Sequence, residues 1–294
     1  MIYVQTPFTR EIREAVALAW GVMGEGERLH GGEESAAYRL DGHVVRLGPV
    51  GRSVAEAEWC HAVARHGAAG LPEAVAPLAT PEGATVVVVG GRPVSCWPYV
   101  EGGWPDSDVP AQREAGARLL ARLHRSLSGC RPGPRPVAAF QESGLYGDPP
   151  QDAAELADPG LDRWLADFHA RHPVRHPLHG DYYTGNTLAR DGRLVAVLDW
   201  DEAFVGAPEL ELAAAALEWG DDVAGPSKEF VAAYHEEGGT AGHLDDESLT
   251  QLVRHKLRRE YAYFHKAARA GVAHDEEDRE YHRARMELFH RLRP

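Results

Sequence analysis

The stretch Leu178-His179-Gly180-Asp181-Tyr182-Tyr183-Thr184-Gly185-Asn186, followed by an apolar run and then Val197-Leu198-Asp199-Trp200-Asp201, constrains this chain more than any other. Taken singly, its parts are ordinary: His-Gly-Asp and Gly-Asn are turn chemistry, and Asp-Trp-Asp after a strand caps a helix. Taken together they are not. A short loop carries Asp181 and returns to Asn186, and the run Leu194-Val195-Ala196-Val197-Leu198 reads as a strand that delivers Asp199 to the same point. A carboxylate beside an attacking hydroxyl, with an amide and a second carboxylate to hold magnesium, is what phosphoryl transfer from a nucleotide requires.

These residues resemble the aminoglycoside phosphotransferase and choline kinase superfamily of small-molecule kinases, through His-Gly-Asp-Tyr-Tyr-Thr-Gly-Asn and Val-Leu-Asp-Trp-Asp-Glu. The resemblance implies an α/β (α+β), protein-kinase-like two-lobed fold, with a small β-rich N-lobe and a larger helical C-lobe. It implies that Asp181 is the catalytic base or orients the hydroxyl, that Asn186 and Asp199 bind magnesium, and that His179 braces the loop. Gly180 stands where protein kinases carry an arginine.

The chain has 294 residues, 44% of them hydrophobic, enough to bury a sizeable core in two lobes, which we expect at 1–101 and 102–294. Cys60, Cys96 and Cys130 are an odd set without metal-type spacing, so neither a disulfide framework nor a zinc site is expected. His169, His172, His176 and His179 invite a metal reading, but Pro173 and Pro177 break the helical spacing that it would need. No secretory leader or membrane span is read in the sequence, and a cytoplasmic location is expected. A formal charge of −14 argues against nucleic acid as a partner and permits a cationic substrate. Lysine is confined to Lys228, Lys256 and Lys266, so everything before them relies on arginine.

Residues 1–100 read as short strands with Gly-rich turns. Leu29 to Ser35, containing Gly31-Gly32, is a hairpin that can lie over nucleotide phosphates, with backbone amides and Ser35 as donors. Ala36–Leu40, the turn Asp41-Gly42 and His43–Leu47 form a second pair of strands, and Thr85–Val89, Gly90-Gly91 and Arg92–Val100 a third. Ser53 caps a helix running to His66. By the resemblance, Arg46 in Val44-Val45-Arg46-Leu47 binds the α- and β-phosphates, with Glu56 as its partner and Glu58 as the alternative. Pro98-Tyr99-Val100-Glu101-Gly102 then matches the linker between lobes, placing the Pro98 carbonyl and the Val100 amide at the adenine edge.

Beyond the linker, Ala111–Ser126 reads as a helix resembling the family's Leu-x-x-Leu-His element, with Leu119, Leu120, Leu123 and His124. Arg131–Pro136 and Gly144–Pro150 read as surface loops. The stretch Leu249–Leu292 reads as a solvated helical pair with Leu252, His255, Tyr261, Phe264 and Met286 turned inward. Acidic residues expected on the acceptor side are Glu101, Asp106, Asp108, Asp201, Glu202, Glu209 and Glu218. Among these, Asp106, Asp108, Asp201 and Glu202 are the candidate substrate contacts.

The reading is an ATP- or GTP-dependent, magnesium-dependent kinase acting on a hydroxyl of a cationic antibiotic, as a monomer or homodimer. A metabolic kinase for choline, homoserine or a sugar is the alternative, ahead of a catalytically silent nucleotide-binding module.

Overall fold

Alternation of side chains along the early strands gives one sheet two different faces. The computed structural model describes residues 5–29, 35–139, 156–269 and 273–293. Five antiparallel strands, β1 (Glu27–Arg28), β2 (Ala36–Leu40), β3 (His43–Leu47), β4 (Val87–Val89) and β5 (Arg92–Pro98), lie in the order β1-β2-β3-β5-β4. Val45, Leu47 and Cys96 point into a small core closed by α1 (Arg10–Trp20) through Ile12 and Val16. Val44 and Trp97 point the other way, into the main core. With a period of two, Arg46 shares the face of Val44 and so looks toward the larger half of the molecule.

The turns are those the sequence led us to expect. Asp41-Gly42 and Gly90-Gly91 both have positive φ at both positions, 34° and 78° in the first and 57° and 75° in the second, which is the twist that a two-residue hairpin needs. The Gly31-Gly32 hairpin and the Gly144–Pro150 loop fall outside the described residues. Helix α1 was not anticipated, although Thr9 caps it by accepting from the Ile12 amide and Gly21 ends it in the left-handed region.

Helix α2 (Val54–Gly70) starts at the expected cap, Ser53, whose hydroxyl accepts from the Glu56 amide. Its Cys60, Val63 and Ala64 are fully buried in the main core beside α3 (Pro110–Leu127), which contributes Leu119, Leu120 and Leu123. Each such leucine contributes about 1.5–3 kcal/mol by leaving water. Beyond α4 (Pro159–Arg171) come β6 (His176–Leu178), a 3-10 turn at Thr184–Asn186, β7 (Thr187–Arg190), β8 (Arg193–Val197) and β9 (Phe204–Gly206). Strands β6 and β9 pair, as do β7 and β8. Helices α5 (Pro208–Trp219), α6 (Ala224–Glu236), α7 (Asp246–Arg269) and α8 (Glu276–Arg291) complete the helical part.

The terminal helices differ from expectation. In α7, Leu252 and His255 are buried as expected, but so are Leu257 and the arginines Arg254 and Arg258, which form ion pairs with Asp158 and Asp162. Charged residues are inside here because α4 supplies their partners. No described helix is long and apolar enough to cross a membrane.

Candidate active site

The loop that carries Asp181 is held from behind by a carboxylate that the sequence reading missed. Glu211, 4% exposed between Leu210 and Leu212 of α5, accepts from the backbone amides of His179 and Gly180. His124 of α3 donates to the same carboxylate at 2.8 Å through Nε2, and its Nδ1 lies 2.7 Å from the Tyr234 hydroxyl, its hydrogen-bond partner. Burial pushes the Glu211 carboxyl up, but the hydrogen bond and charge of His124 outweigh it, and the net shift is downward. The one local signal was a glutamate inside an apolar helical run.

His179 is structural, as expected. Its Nε2 donates to the Leu198 carbonyl at 2.7 Å, so its Nδ1 is free to accept the Asp181 amide at 3.3 Å. Gly180 has φ 90°, and a Cβ there would lie 2.1 Å from the Glu202 carbonyl oxygen. That contact is the physical reason for glycine in this loop. The Tyr182 hydroxyl donates to the Gly116 carbonyl of α3 at 2.8 Å and fixes the far side.

Asp181 and Asn186 meet directly: the Asn186 amide nitrogen donates to the Asp181 carbonyl at 2.9 Å and to its carboxylate at 2.8 Å. The amide oxygen of Asn186 is thereby the end left to face a cation. The Leu198 amide donates to the Asn186 carbonyl at 2.8 Å, which brings the end of β8 and Asp199 alongside. Asp199 takes a left-handed backbone with φ 58°, uncommon for a non-glycine residue and typical of functional positions. Burial raises the Asp181 carboxyl, against the opposing charge of Lys256 on α7.

Arg46 reaches across from β3 as expected, but its partner is not Glu56. Its guanidinium grips both Asp199 oxygens, at 3.0 and 3.1 Å, and Asp201 at 3.0 Å. Arg52 also donates to Asp201, at 2.6 Å. Burial alone would lift the Asp201 carboxyl, but Arg46 and Arg52 hold it down at about 2. Glu56 pairs with Arg135 at 2.8 Å, while Glu58 accepts from the Thr85 and Val86 amides. The charge pattern of α2 could not have revealed this, because Arg135 belongs to a loop read as surface. Ser35 is buried and lines a cavity of about 20 Å³ together with Arg46, Arg52 and Asp201, room for one water.

The linker follows β5. Tyr99 donates its amide to the Gly42 carbonyl at 2.8 Å, Val100 packs on the main core, and Gly103 bridges Ala189 of β7. Pro98 is exposed at the end of β5. Among the expected acceptor-side acids, the Asp108 amide donates to the Asp106 carboxylate, the Asp106 amide donates to Gln112 at the start of α3, and Glu101 is exposed. Asp201 is committed to arginines, and Glu209 accepts from the Gly242 amide. Glu202 packs its backbone on Gly180 and lies in the field of Arg259. Glu218 belongs to a second network: Arg285 bonds Glu218 at 2.6 Å, Glu260 at 2.7 Å and Asp222 at 2.9 Å, and Lys256 bonds Glu260 at 2.7 Å.

The four histidines considered for a metal are otherwise engaged: for example, His176 bonds Thr240 and His172 stacks on Phe168. Among the described residues, no group of three or more His, Cys, Asp or Glu forms a metal site. The Asp199 carboxylate with the Asn186 amide oxygen nonetheless suits magnesium, which is held by one or two carboxylates with phosphates and water completing its shell.

A sheet with an arginine over a carboxylate-tipped strand, joined by a linker to helices that hold an Asp-x-x-x-x-Asn loop, defines a kinase-type phosphotransferase. Residues 25–246 match the Phosphotransferase enzyme family, APH, and the chain belongs to it. Over 40 residues it is 45% identical to hygromycin-B 4-O-kinase of Escherichia coli, a match spanning 14% of this chain and 12% of that protein. Its fold is similar to that of an amicoumacin kinase in complex with AMP-PNP, Ca²⁺ and Ami, with TM-score 0.69 and 14% identity over 96% of this chain and 93% of that one. A choline kinase from Streptococcus pneumoniae is also similar, with TM-score 0.65 and 16% identity over 95% of this chain and 98% of that one.

Proposed function

We propose that this protein transfers the γ-phosphoryl group of ATP or GTP to a hydroxyl of a small molecule, with a cationic, aminoglycoside-like antibiotic as the first candidate. The observation that carries the reading is the direct bond between Asp181 and Asn186 beside Asp199, with Arg46 facing the same carboxylate. Asp181 accepts a hydrogen bond from the acceptor hydroxyl, orients it for in-line attack and takes its proton as the new P–O bond forms and the γ-phosphorus bond to the β-phosphate oxygen breaks, releasing ADP or GDP. Asp199 and the Asn186 amide oxygen would hold magnesium, which when bound screens the phosphate oxygens. Arg46 supplies a forked, permanently positive partner to the phosphates, Ser35 a hydroxyl beside it, and Pro98 and Val100 the backbone groups at the base. A division at 101/102 fits this reading, with the phosphate and adenine contacts before it and the catalytic base Asp181 with the metal ligands after it.

For the acceptor, Glu218, Glu260 and Asp222 outnumber Lys256 and Arg285 in the network whose charges act on Asp181. This favours a positively charged molecule, with Asp106, Asp108 and Glu202 as outer contacts. The likeness to a choline kinase keeps a metabolic cationic alcohol as the second reading. The test is ATP consumption by the purified protein with a panel of aminoglycosides, cyclic peptides, nucleoside antibiotics, choline, homoserine and sugars. Turnover of an aminoglycoside supports the first reading and turnover of choline the second. No turnover with any member, in the presence of tight nucleotide binding, would favour a silent binding module.

A further inference from the structure

Arg135 lies in the Pro-rich stretch after α3, yet its side chain is 5% exposed and that of Glu56, its partner on α2, 16%. The guanidinium uses its whole fork. Nε donates to the Ala203 carbonyl at 3.0 Å, Nη2 to the Asp201 carbonyl at 3.1 Å and to Glu56 at 2.8 Å, and Nη1 to the Val137 carbonyl. The loop is pinned where it crosses α2: Trp59 donates its indole N–H to the Gly133 carbonyl at 2.7 Å and its ring lies 5.9 Å from the Arg135 guanidinium. One side chain therefore joins α2 to the backbone of Asp201, the residue whose carboxylate receives Arg46 and Arg52.

We propose that Arg135 is a positioning residue for the nucleotide side of the site: by taking the Glu56 carboxylate and fixing the Asp201–Ala203 backbone, it leaves Arg46 committed to Asp199 and Asp201. The inference rests on the kinase reading above. Three arginines, Arg46 from the sheet, Arg52 just after it and Arg135 from the loop, share three carboxylates, and the partition is decided by where the loop puts Arg135. Without it, Glu56 is a buried carboxylate lacking its cation, and such a group draws in the nearest positive charge. That charge is Arg46 or Arg52, both turned toward this face of α2. Arg46 drawn away from Asp199 no longer faces the phosphates. Lysine would not replace Arg135, because a single ammonium cannot span the Glu56 carboxylate and the carbonyls of Asp201, Ala203 and Val137 on separate segments.

The experiment is titration of the full chain with Mg·ADP, alongside steady-state kinetics with Mg·ATP and whichever acceptor is turned over. Arg135→Ala should weaken Mg·ADP about tenfold and raise the ATP KM to match, with the acceptor KM within about twofold of wild type. Adding Glu56→Gln to Arg135→Ala should recover at least half of the lost affinity on a logarithmic scale, since the competing carboxylate is gone; a purely structural role predicts no recovery. If Arg135→Ala does not fold, Arg135→Lys is read instead, with at least about threefold weaker Mg·ADP expected and recovery by the same second change. Mg·ADP affinity unchanged in the folded single variant, or loss without recovery in the double variant, overturns the inference. A wild-type protein that fails to bind Mg·ADP at all would overturn the kinase reading itself, a separate result.

Discussion

Two charged networks flank the Asp181 loop, and they are built differently. On the sheet side, Arg46, Arg52 and Arg135 face Asp199, Asp201 and Glu56, charges that balance one for one. On the helical side, Lys256 and Arg285 face Glu218, Glu260 and Asp222, leaving acid in excess. The first is made of guanidiniums, whose fixed forks suit phosphate and carboxylate oxygens; the second includes the buried Lys256, a point charge able to shift with its surroundings. On the function proposed above, a polyanionic nucleotide and a cationic acceptor would meet this asymmetry, with Asp181 at the seam. The contrast can be broken from either side.

The largest effect should come from the seam itself. Asp181→Asn should cut turnover by about 10²–10⁴-fold while leaving Mg·ADP affinity nearly intact, because the amide cannot take the hydroxyl proton. Single-turnover kinetics beside a nucleotide titration checks both halves, and a rate within threefold of wild type would remove Asp181 from its role. Asp199→Ala should instead lower nucleotide affinity and rate together, since it removes the metal carboxylate and leaves Arg46 with Asp201 alone. Unchanged magnesium dependence in that variant would move the metal role to another carboxylate.

A stability test follows from the sheet side. Asp201 is held at about 2, below its ordinary value near 4, so its ionised form stabilises the fold above pH about 4, and that contribution disappears as pH falls through about 2. Urea unfolding of Asp201→Asn should accordingly show a deficit against wild type at neutral pH that narrows from about pH 4 toward pH 2. A constant deficit across that range would mean that the ion pairs with Arg46 and Arg52 contribute nothing.

The smallest effect should lie on the helical side. Attraction from the exposed outer acids Asp106 and Asp108 is screened over about 8 Å at physiological salt, so raising ionic strength should increase the KM of a cationic acceptor modestly with little change in turnover. Efficient turnover of a neutral or anionic alcohol, with cationic antibiotics neither used nor competing, would show that the acid excess plays no part in recognition and leave the kinase chemistry standing.

Much of the site was legible because its constraints are local. Asp181 and Asn186 bond across one short loop, the Asp41-Gly42 and Gly90-Gly91 hairpins need only two residues to set their twist, and Ser53 caps α2 within its first turn. The misses lie where a charge chooses a distant partner. Glu56 was matched to Arg46 by pattern, yet Arg135 took it; Arg131–Pro136 was read as surface because proline and glycine say nothing of a buried guanidinium. The arginines of α7 were read as solvated because they look polar until α4 packs over them and supplies Asp158 and Asp162.

The sequence by itself determined the chemistry-bearing loop, the strand that leads to Asp199, the hairpins and the alternation that turns Arg46 away from the small core. Each depends on sterics and hydrogen bonds among neighbours in the chain. Tertiary structure alone decided the pairings: Arg46 with Asp199, Glu56 with Arg135, Glu211 behind His179 and Gly180, and Lys256 beside Asp181. Buried charges must be paired, but many pairings satisfy that demand, and which one is made depends on how closely packing brings the groups together once water is gone.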